Sequence, residues 1–349
     1  MSHIRRLRLV SFLSVKATTA RAVHVRKSYT LEEWLEEWLR LCVLRGLRET
    51  TVAAYRAAIR IYVPAQLGSA RIRSVRSQDL DAHYERLLLT GRRDGRGGLS
   101  PRTVRFIHTI IRRALADAVR AGVLDTNPAD AAHAPLARYV CAPVFRTWTP
   151  SELRCFLEAA REDELYAAFH LAATTGLRRG EVLGLRWCDL YVDGGELHVV
   201  QTLVLVGRHV RVGQPKSHRS RRAVALDRHT VDVLREHRQV MHARFADSAD
   251  ESADAGLIFT TPAGAPIHPA LFTYYFRRRM LATAVPPIRL HDLRHTHATH
   301  ALQAGVHPKI VSERLGHATI AITLDIYSHV LPSMQREAAE TVAALVATG

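Results

Sequence analysis

Residues 291–300 read HDLRHTHATH, placing four histidines, one arginine and one aspartate within ten positions. His291 and His295 have the spacing of the histidines in an HExxH zinc helix, with Asp292 where the glutamate would stand. A helix turns about 100° per residue, which puts His295 about 40° from His291 but His297 and His300 near ~240° and ~180°. Imidazoles spread over separate faces cannot close on one ion, and aspartate reaches less far than glutamate as a general base. Arg294 shares the side of His291, and Ala298, Ala301 and Leu302 continue that face as apolar residues, so it is the buried one. A guanidinium buried beside an imidazole requires an anion, and a phosphate fits. On this reading His295 is a hydrogen-bonded structural residue, and His297 and His300 lie at the surface.

The rest of the chain agrees with an anionic partner. Lys and Arg number 49 against 33 Asp and Glu, a net charge of +16, and the pI is about 10.4. Such an excess favours nucleic acid, because phosphates neutralised by protein release their counterions, although ribosomal and membrane-surface proteins share the composition. No run of eighteen apolar residues exists, which excludes a membrane helix. Cys42, Cys141, Cys155 and Cys188 form no CxxC pair and read as reduced cytosolic thiols.

With 349 residues, two domains are expected. Residues 1–28 form a basic arm; its apolar piece LVSFLSV is too short and too polar for a secretory signal. Residues 29–134 read as helices. Thr30 and Glu33 make a capping box, Pro64 stops a second helix, Ser77 caps a third that ends at Gly91, and Ser100–Pro101 opens a fourth closed by Gly122. That fourth helix aligns Val104, Ile107, Ile111, Ala114 and Ala118. Its arginines Arg102, Arg105, Arg112, Arg113 and Arg120 form a solvated face, some of them tracking a DNA backbone. Residues 135–147 are a linker with scattered prolines. Residues 148–332 open on a capping box at Thr149 and Glu152 and carry a β-patterned stretch with a turn at Gly207, a short strand in RRAVAL, and further helices. Residues 333–349 form a C-terminal helix with a small apolar face of Ala338, Val342, Ala343 and Val346.

Three more fragments complete the anion-binding pattern. TTGLRRGEVLGLRW (174–187) holds Arg178 at a loop-to-helix junction with Glu181 three residues on. PKSHRSRRAVAL (215–226) puts Lys216 at a turn between strands. LGHATIAITLDIYSH (315–329) supplies His317 and, ten residues later, Tyr327.

Together and in this order, these segments resemble the catalytic domain of tyrosine site-specific recombinases, the lambda-integrase-like phage integrase family, from about Thr149 to Val330. The helical block resembles that family's core-binding domain. The resemblance implies a mainly α fold with a small β-sheet in the catalytic domain, arranged as a two-domain DNA clamp. It implies that Arg178, Lys216, His291, Arg294 and His317 surround a scissile phosphate and that Tyr327 is the nucleophile, with Lys216 as general acid and His291 as proton acceptor or orienter. No position of that set is substituted. Thirty N-terminal residues are short for the separate arm-binding domain that many integrases carry. The implied chemistry needs no ATP, cofactor or metal, because a covalent intermediate conserves the bond energy. The implied partners are double-stranded DNA at specific recombination sites, a homotetramer on paired sites with residues 333–349 contacting a neighbouring protomer, and DNA-bending accessory proteins. The implied location is the cytoplasm, at the nucleoid. The rivals are a non-catalytic DNA-binding regulator, a type IB topoisomerase-like single-strand cutter and a metal-dependent hydrolase.

Overall fold

The computed structural model describes residues 28–136, 145–207, 209–213, 221–245 and 256–327, with short helical pieces between 339 and 347. The chain divides into two units, Met1–Ala142 and Pro143–Gly349. The N-terminal arm, Cys141, Lys216 and most of residues 333–349 lie outside the described residues.

The first unit is built from α1 (Leu31–Leu44), α2 (Glu49–Tyr62), the single turn α3 (Ala65–Gly68), α4 (Ser77–Thr90) and α5 (Pro101–Arg120). The Thr30 hydroxyl accepts from the Glu33 N–H while the Glu33 carboxylate accepts from the Thr30 N–H, satisfying two orphan donors at the start of α1. Helix α1 buries Leu31, Trp34, Leu35, Trp38 and Leu39 against Val104, Ile107, Ile111, Ala114 and Ala118 of α5, joined by Ile110 and Leu115. Buried indoles need acceptors. Trp34 Nε1 donates to the Ala114 carbonyl at 2.7 Å, and Trp38 Nε1 donates to buried Asp117 at 2.6 Å.

One expectation needs correction here. Ser77 is the first residue of α4, and the Asp79 carboxylate caps the Arg76 N–H instead. The α5 arginines lie at the surface as expected, and four of the five also bond within the unit. Arg105 donates to the Pro135 carbonyl, Arg112 to Asp130, Arg113 to the Tyr55 hydroxyl and Arg120 to Asp117.

The second unit wraps α6 (Pro150–Ala159), α7 (Tyr166–Thr175), α8 (Arg179–Leu183), α9 (Arg228–Phe245) and α10 (Pro269–Leu281) around small antiparallel sheets. Strands β1 (Leu190–Tyr191), β2 (Glu196–Val199) and β5 (Arg222–Ala225) form one sheet in the order β1-β2-β5. β3 (Thr202–Val206) and β4 (His209–Gly213) form a separate hairpin, turned at Gly207 with φ +62°. The core gathers Trp148, Phe156, Phe169, Phe272 and Phe276 with Leu197, Val199 and Val224 from the sheet. Last come α11 (Asp292–Gln303), α12 (Pro308–Leu315) and α13 (Ile320–Tyr327), which share a smaller core of Ala298, Leu302, Val311, Leu315 and Tyr327.

Candidate active site

Two helix ends make the floor of the site. Helix α7 stops at Gly176 and α12 at Gly316, both left-handed at φ +66°. The turn at Gly316 is the tight helix end in which the His317 N–H returns to the Ser312 carbonyl at 3.0 Å. A β-carbon at Gly176 would stand 2.6 Å from Leu315 Cδ2, and one at Gly316 would stand 2.8 Å from Arg222 Nη1. Glycine is therefore required at both for conformation and for space. The turns aim helix-terminal carbonyls, which carry partial negative charge, at whatever packs there.

Arginines pack there. Arg294 on α11 donates from Nη1 to the Gly176 carbonyl at 2.9 Å and from Nη2 to the Leu315 carbonyl at 2.8 Å. Arg178, at the start of α8, donates to the Gly316 carbonyl at 3.2 Å and to Glu181 at 2.8 Å. The Glu181 carboxylate also accepts from the Arg178 N–H and from Arg222 Nη2 at 3.0 Å. Burial pushes the Glu181 carboxyl up, but Arg222 and Arg178 outweigh it and the net shift is down. Glu181 therefore stays ionised and anchors two guanidiniums, which fits a supporting role and not that of a catalytic acid.

Arg294 is only 4% exposed. Among the described residues it makes no ion pair with a carboxylate. Burial first, then Arg178, pushes its pKa down to about 9, which still leaves it charged at neutral pH. The cluster holds uncompensated positive charge in a low-dielectric setting, the electrostatic signature of an anion site.

The histidines go separate ways. His291 sits at the N-cap of α11 and is exposed, not on a buried face with Arg294 as expected; loss of part of its hydration and then Arg294 lower its pKa. His317 Nδ1 lies 2.7 Å from the buried Thr323 hydroxyl. Burial, followed by Arg294 and Arg178, pushes its pKa down to about 3, so it is a neutral imidazole at pH 7. His295 Nδ1 lies 2.8 Å from the Tyr327 hydroxyl. His300 Nε2 lies 2.8 Å from the Trp148 carbonyl. His297 and His300, expected at the surface, are both half-buried; the His297 ring packs close to Gly176, and burial pushes its pKa down to about 4. Helix α11 is packed on several sides, so a single amphipathic face does not describe it. Among the described residues no group of three or more His, Cys, Asp or Glu is placed to hold a metal ion.

Tyr327 ends α13 with its ring 1% exposed. Burial pushes its pKa up, Arg294 pulls partway back, and the outcome is about 12. The neighbouring cation acts in the activating direction, but burial wins, so the phenol keeps its proton. Its hydrogen bond goes to His295 and not to His291.

Of the six residues singled out in the sequence, Arg294 and Arg178 hold the carbonyls of the adjacent residues Leu315 and Gly316, and His291, His317 and Tyr327 lie close enough to feel the charge of Arg294. Lys216 lies outside the described residues. Two participants were missed. Arg222 shares the inner face of β5 with buried Val224, a placement that strand alternation predicts. His295 lies on the same helical side as His291, so its proximity was available from the spacing, but its contact with Tyr327 was not.

The sequence profile of the phage integrase family matches residues 146–334. The tyrosine recombinase XerC-like protein of Caldanaerobacter subterraneus subsp. tengcongensis is 28% identical over 328 residues, covering 89% of this chain and 82% of the relative. The Tn1549 transposon integrase, solved in complex with a circular intermediate DNA, superposes with TM-score 0.71 at 21% identity, covering 90% of this chain and 100% of that chain. A lambda integrase tetramer bound to a Holliday junction gives TM-score 0.61 at 18% identity, covering 91% and 90% respectively.

Proposed function

Because the chain belongs to the phage integrase family, we propose that Arg178, Lys216, His291, Arg294, His317 and Tyr327 cut and rejoin DNA at specific recombination sites. The observation that carries the reading is the buried Arg294 guanidinium, which is held by two helix-end carbonyls, stands beside Arg178 and lies close enough to Tyr327 for its charge to act on the phenol. An anion of tetrahedral geometry completes such a site. The chemistry then follows from the charges. The Tyr327 oxygen attacks phosphorus in line, the bond to the 5′-oxygen breaks, and a 3′-phosphotyrosyl linkage stores the bond energy for the return attack by a 5′-hydroxyl.

Negative charge grows on the non-bridging oxygens during attack, where Arg178 and Arg294 donate paired hydrogen bonds. Neutral His317 donates a further one from the ring nitrogen that does not face Thr323. His291 accepts the proton that the attacking Tyr327 phenol gives up, or orients the phenol, and Lys216 protonates the departing 5′-oxygen. Residues 29–134 serve as the core-binding domain and 148–332 as the catalytic domain, which close on duplex DNA as a clamp, with the basic segment 1–28 adding phosphate contacts. Four protomers act on paired sites, each contacting its neighbour through residues 333–349, with DNA-bending proteins assisting. The protein works in the cytoplasm at the nucleoid. For its part, the structure has no helix among the described residues long and apolar enough to cross a membrane.

The test is incubation with a nicked duplex built on the repeat flanking its gene, followed by a denaturing gel. The wild type should give an SDS-resistant protein–DNA adduct without added nucleotide and in the presence of chelator, and Tyr327→Phe should give none. No adduct from the wild type, or an adduct that persists in Tyr327→Phe, would overturn the reading. Dependence on a second site separates strand exchange from topoisomerase-like nicking.

A further inference from the structure

The hydrogen bond between His295 and Tyr327 has no part in the six-residue scheme. His295 Nδ1 stands 2.8 Å from the phenol oxygen. The imidazole is fixed in direction by its neighbours. Phe145 stacks on it with ring centroids 4.1 Å apart and planes 13° apart, and His291 meets it edge-on at 5.3 Å and 88°. Phe145 also contacts the Tyr327 ring in an edge arrangement at 6.0 Å. A ring held on two sides can point its Nδ1 lone pair one way only, and that way is the Tyr327 oxygen.

We propose that His295 is a positioning residue for the nucleophile, whose Nδ1 accepts the Tyr327 hydroxyl hydrogen bond and aims the phenol oxygen for attack on phosphorus. The proposal rests on the reading of Tyr327 as the nucleophile. It needs an imidazole with a free lone pair, hence a neutral one. The ionisable groups around His295 are His291, Asp292, Arg289 and Arg294 on its own helix and its approach, with Tyr327 and His317 packed against it. Burial first, then His291, holds His295 down at about 4, and Tyr327 keeps its proton, so the O–H donates and Nδ1 accepts at neutral pH. Orientation of this kind is costly to lose, since displacing a reacting atom by about 1 Å can lower a rate ~10²-fold.

Two substitutions separate hydrogen bonding from packing. His295→Phe keeps a ring to stack on Phe145 and removes the acceptor. His295→Asn keeps a short polar acceptor near the Nδ1 position and removes the stack. Both are assayed in the full-length protein for thermal unfolding, for binding to an intact duplex site, and for the single-turnover rate of adduct formation on the nicked duplex. The expected result is duplex binding within a few-fold of wild type for both, adduct formation slowed ~10²-fold in His295→Phe, and most of that loss restored in His295→Asn. A duplex with sulfur in place of the bridging 5′-oxygen bypasses protonation of the leaving group, so it should not rescue His295→Phe. Full activity in His295→Phe, rescue by the sulfur-bridged duplex, or equal loss in both variants tracking their unfolding temperatures would overturn the proposal. A wild type that forms no adduct would instead overturn the reading beneath it.

Discussion

Replacing Arg294 by lysine keeps a positive charge in the site and removes the fork that holds it. In the wild type one guanidinium ties the end of α7 to the end of α12 through the Gly176 and Leu315 carbonyls, at 2.9 and 2.8 Å, and still has donors left for an anion. An ammonium is a single donating point on a shorter stem. If it serves one carbonyl, it leaves the other without its charged donor in a region of which Arg294 itself is 4% exposed. A hydrogen bond to a charged group is worth about 1.5–3 kcal/mol, so the unfolding free energy should fall by that amount. Loss of the paired contact to the phosphate should slow cleavage by ~10²–10³. Urea unfolding reads the first quantity and single-turnover adduct formation the second. An Arg294→Lys protein that forms adduct within threefold of the wild-type rate at unchanged stability would refute the argument that geometry, and not charge alone, is what the fork supplies.

Three further perturbations follow from the same structure. Glu181→Gln leaves Arg178 and Arg222 without their shared carboxylate, and breaking a buried pair in this way costs about 3–5 kcal/mol; thermal unfolding should show the loss, and added inorganic phosphate should recover more stability in the variant than in the wild type. Gly316→Ala forces a β-carbon into a left-handed position, costing about 1–2 kcal/mol, and toward Arg222, so urea unfolding should report at least that loss and the adduct rate should fall with it. His83 on α4 is buried with neither ring nitrogen hydrogen-bonded among the described residues, and burial holds its pKa near 4. Its folded pKa lies below the ordinary value of 6.5, so its share of stability is intact above 6.5 and is lost as pH falls toward 4. His83→Leu should therefore raise stability, and the gain should be about 1 kcal/mol larger at pH 5.5 than at pH 7.5, measured by urea unfolding at each pH. An equal gain at both would show that the histidine does not titrate on unfolding.

Much of the fold was legible because local chemistry and tertiary structure agree. Thr30 with Glu33 and Thr149 with Glu152 cap the helices their spacing announces, and Ser100 accepts from the Thr103 N–H at the start of α5. The phage integrase resemblance read from four short segments is borne out by the family match over residues 146–334. What failed depends on partners distant in sequence. The run ELHVVQTLVLV reads as one β-patterned stretch, yet it splits at Gln201, whose side chain donates to the Gly184 carbonyl, and its halves join different sheets. His297 and His300 looked exposed because helical periodicity sees one face, whereas α11 has neighbours on more than one and leaves both half-buried. In the candidate site the arginines were legible as a pair with a histidine. The carbonyls of Gly176, Leu315 and Gly316 that hold them are backbone groups with no sequence signature beyond the two glycines. Arg222 was hidden in a basic run where every residue looked alike.

The central claim is that the Tyr327 oxygen becomes bonded to DNA phosphorus. Trypsin cleavage after Arg314 and Arg336 releases residues 315–336, a peptide in which Tyr327 is the single tyrosine. Mass spectrometry of that peptide, taken from the nuclease-trimmed adduct, should find the residual nucleotide on Tyr327. A nucleotide attached to any other residue, or to any other peptide, would contradict the account.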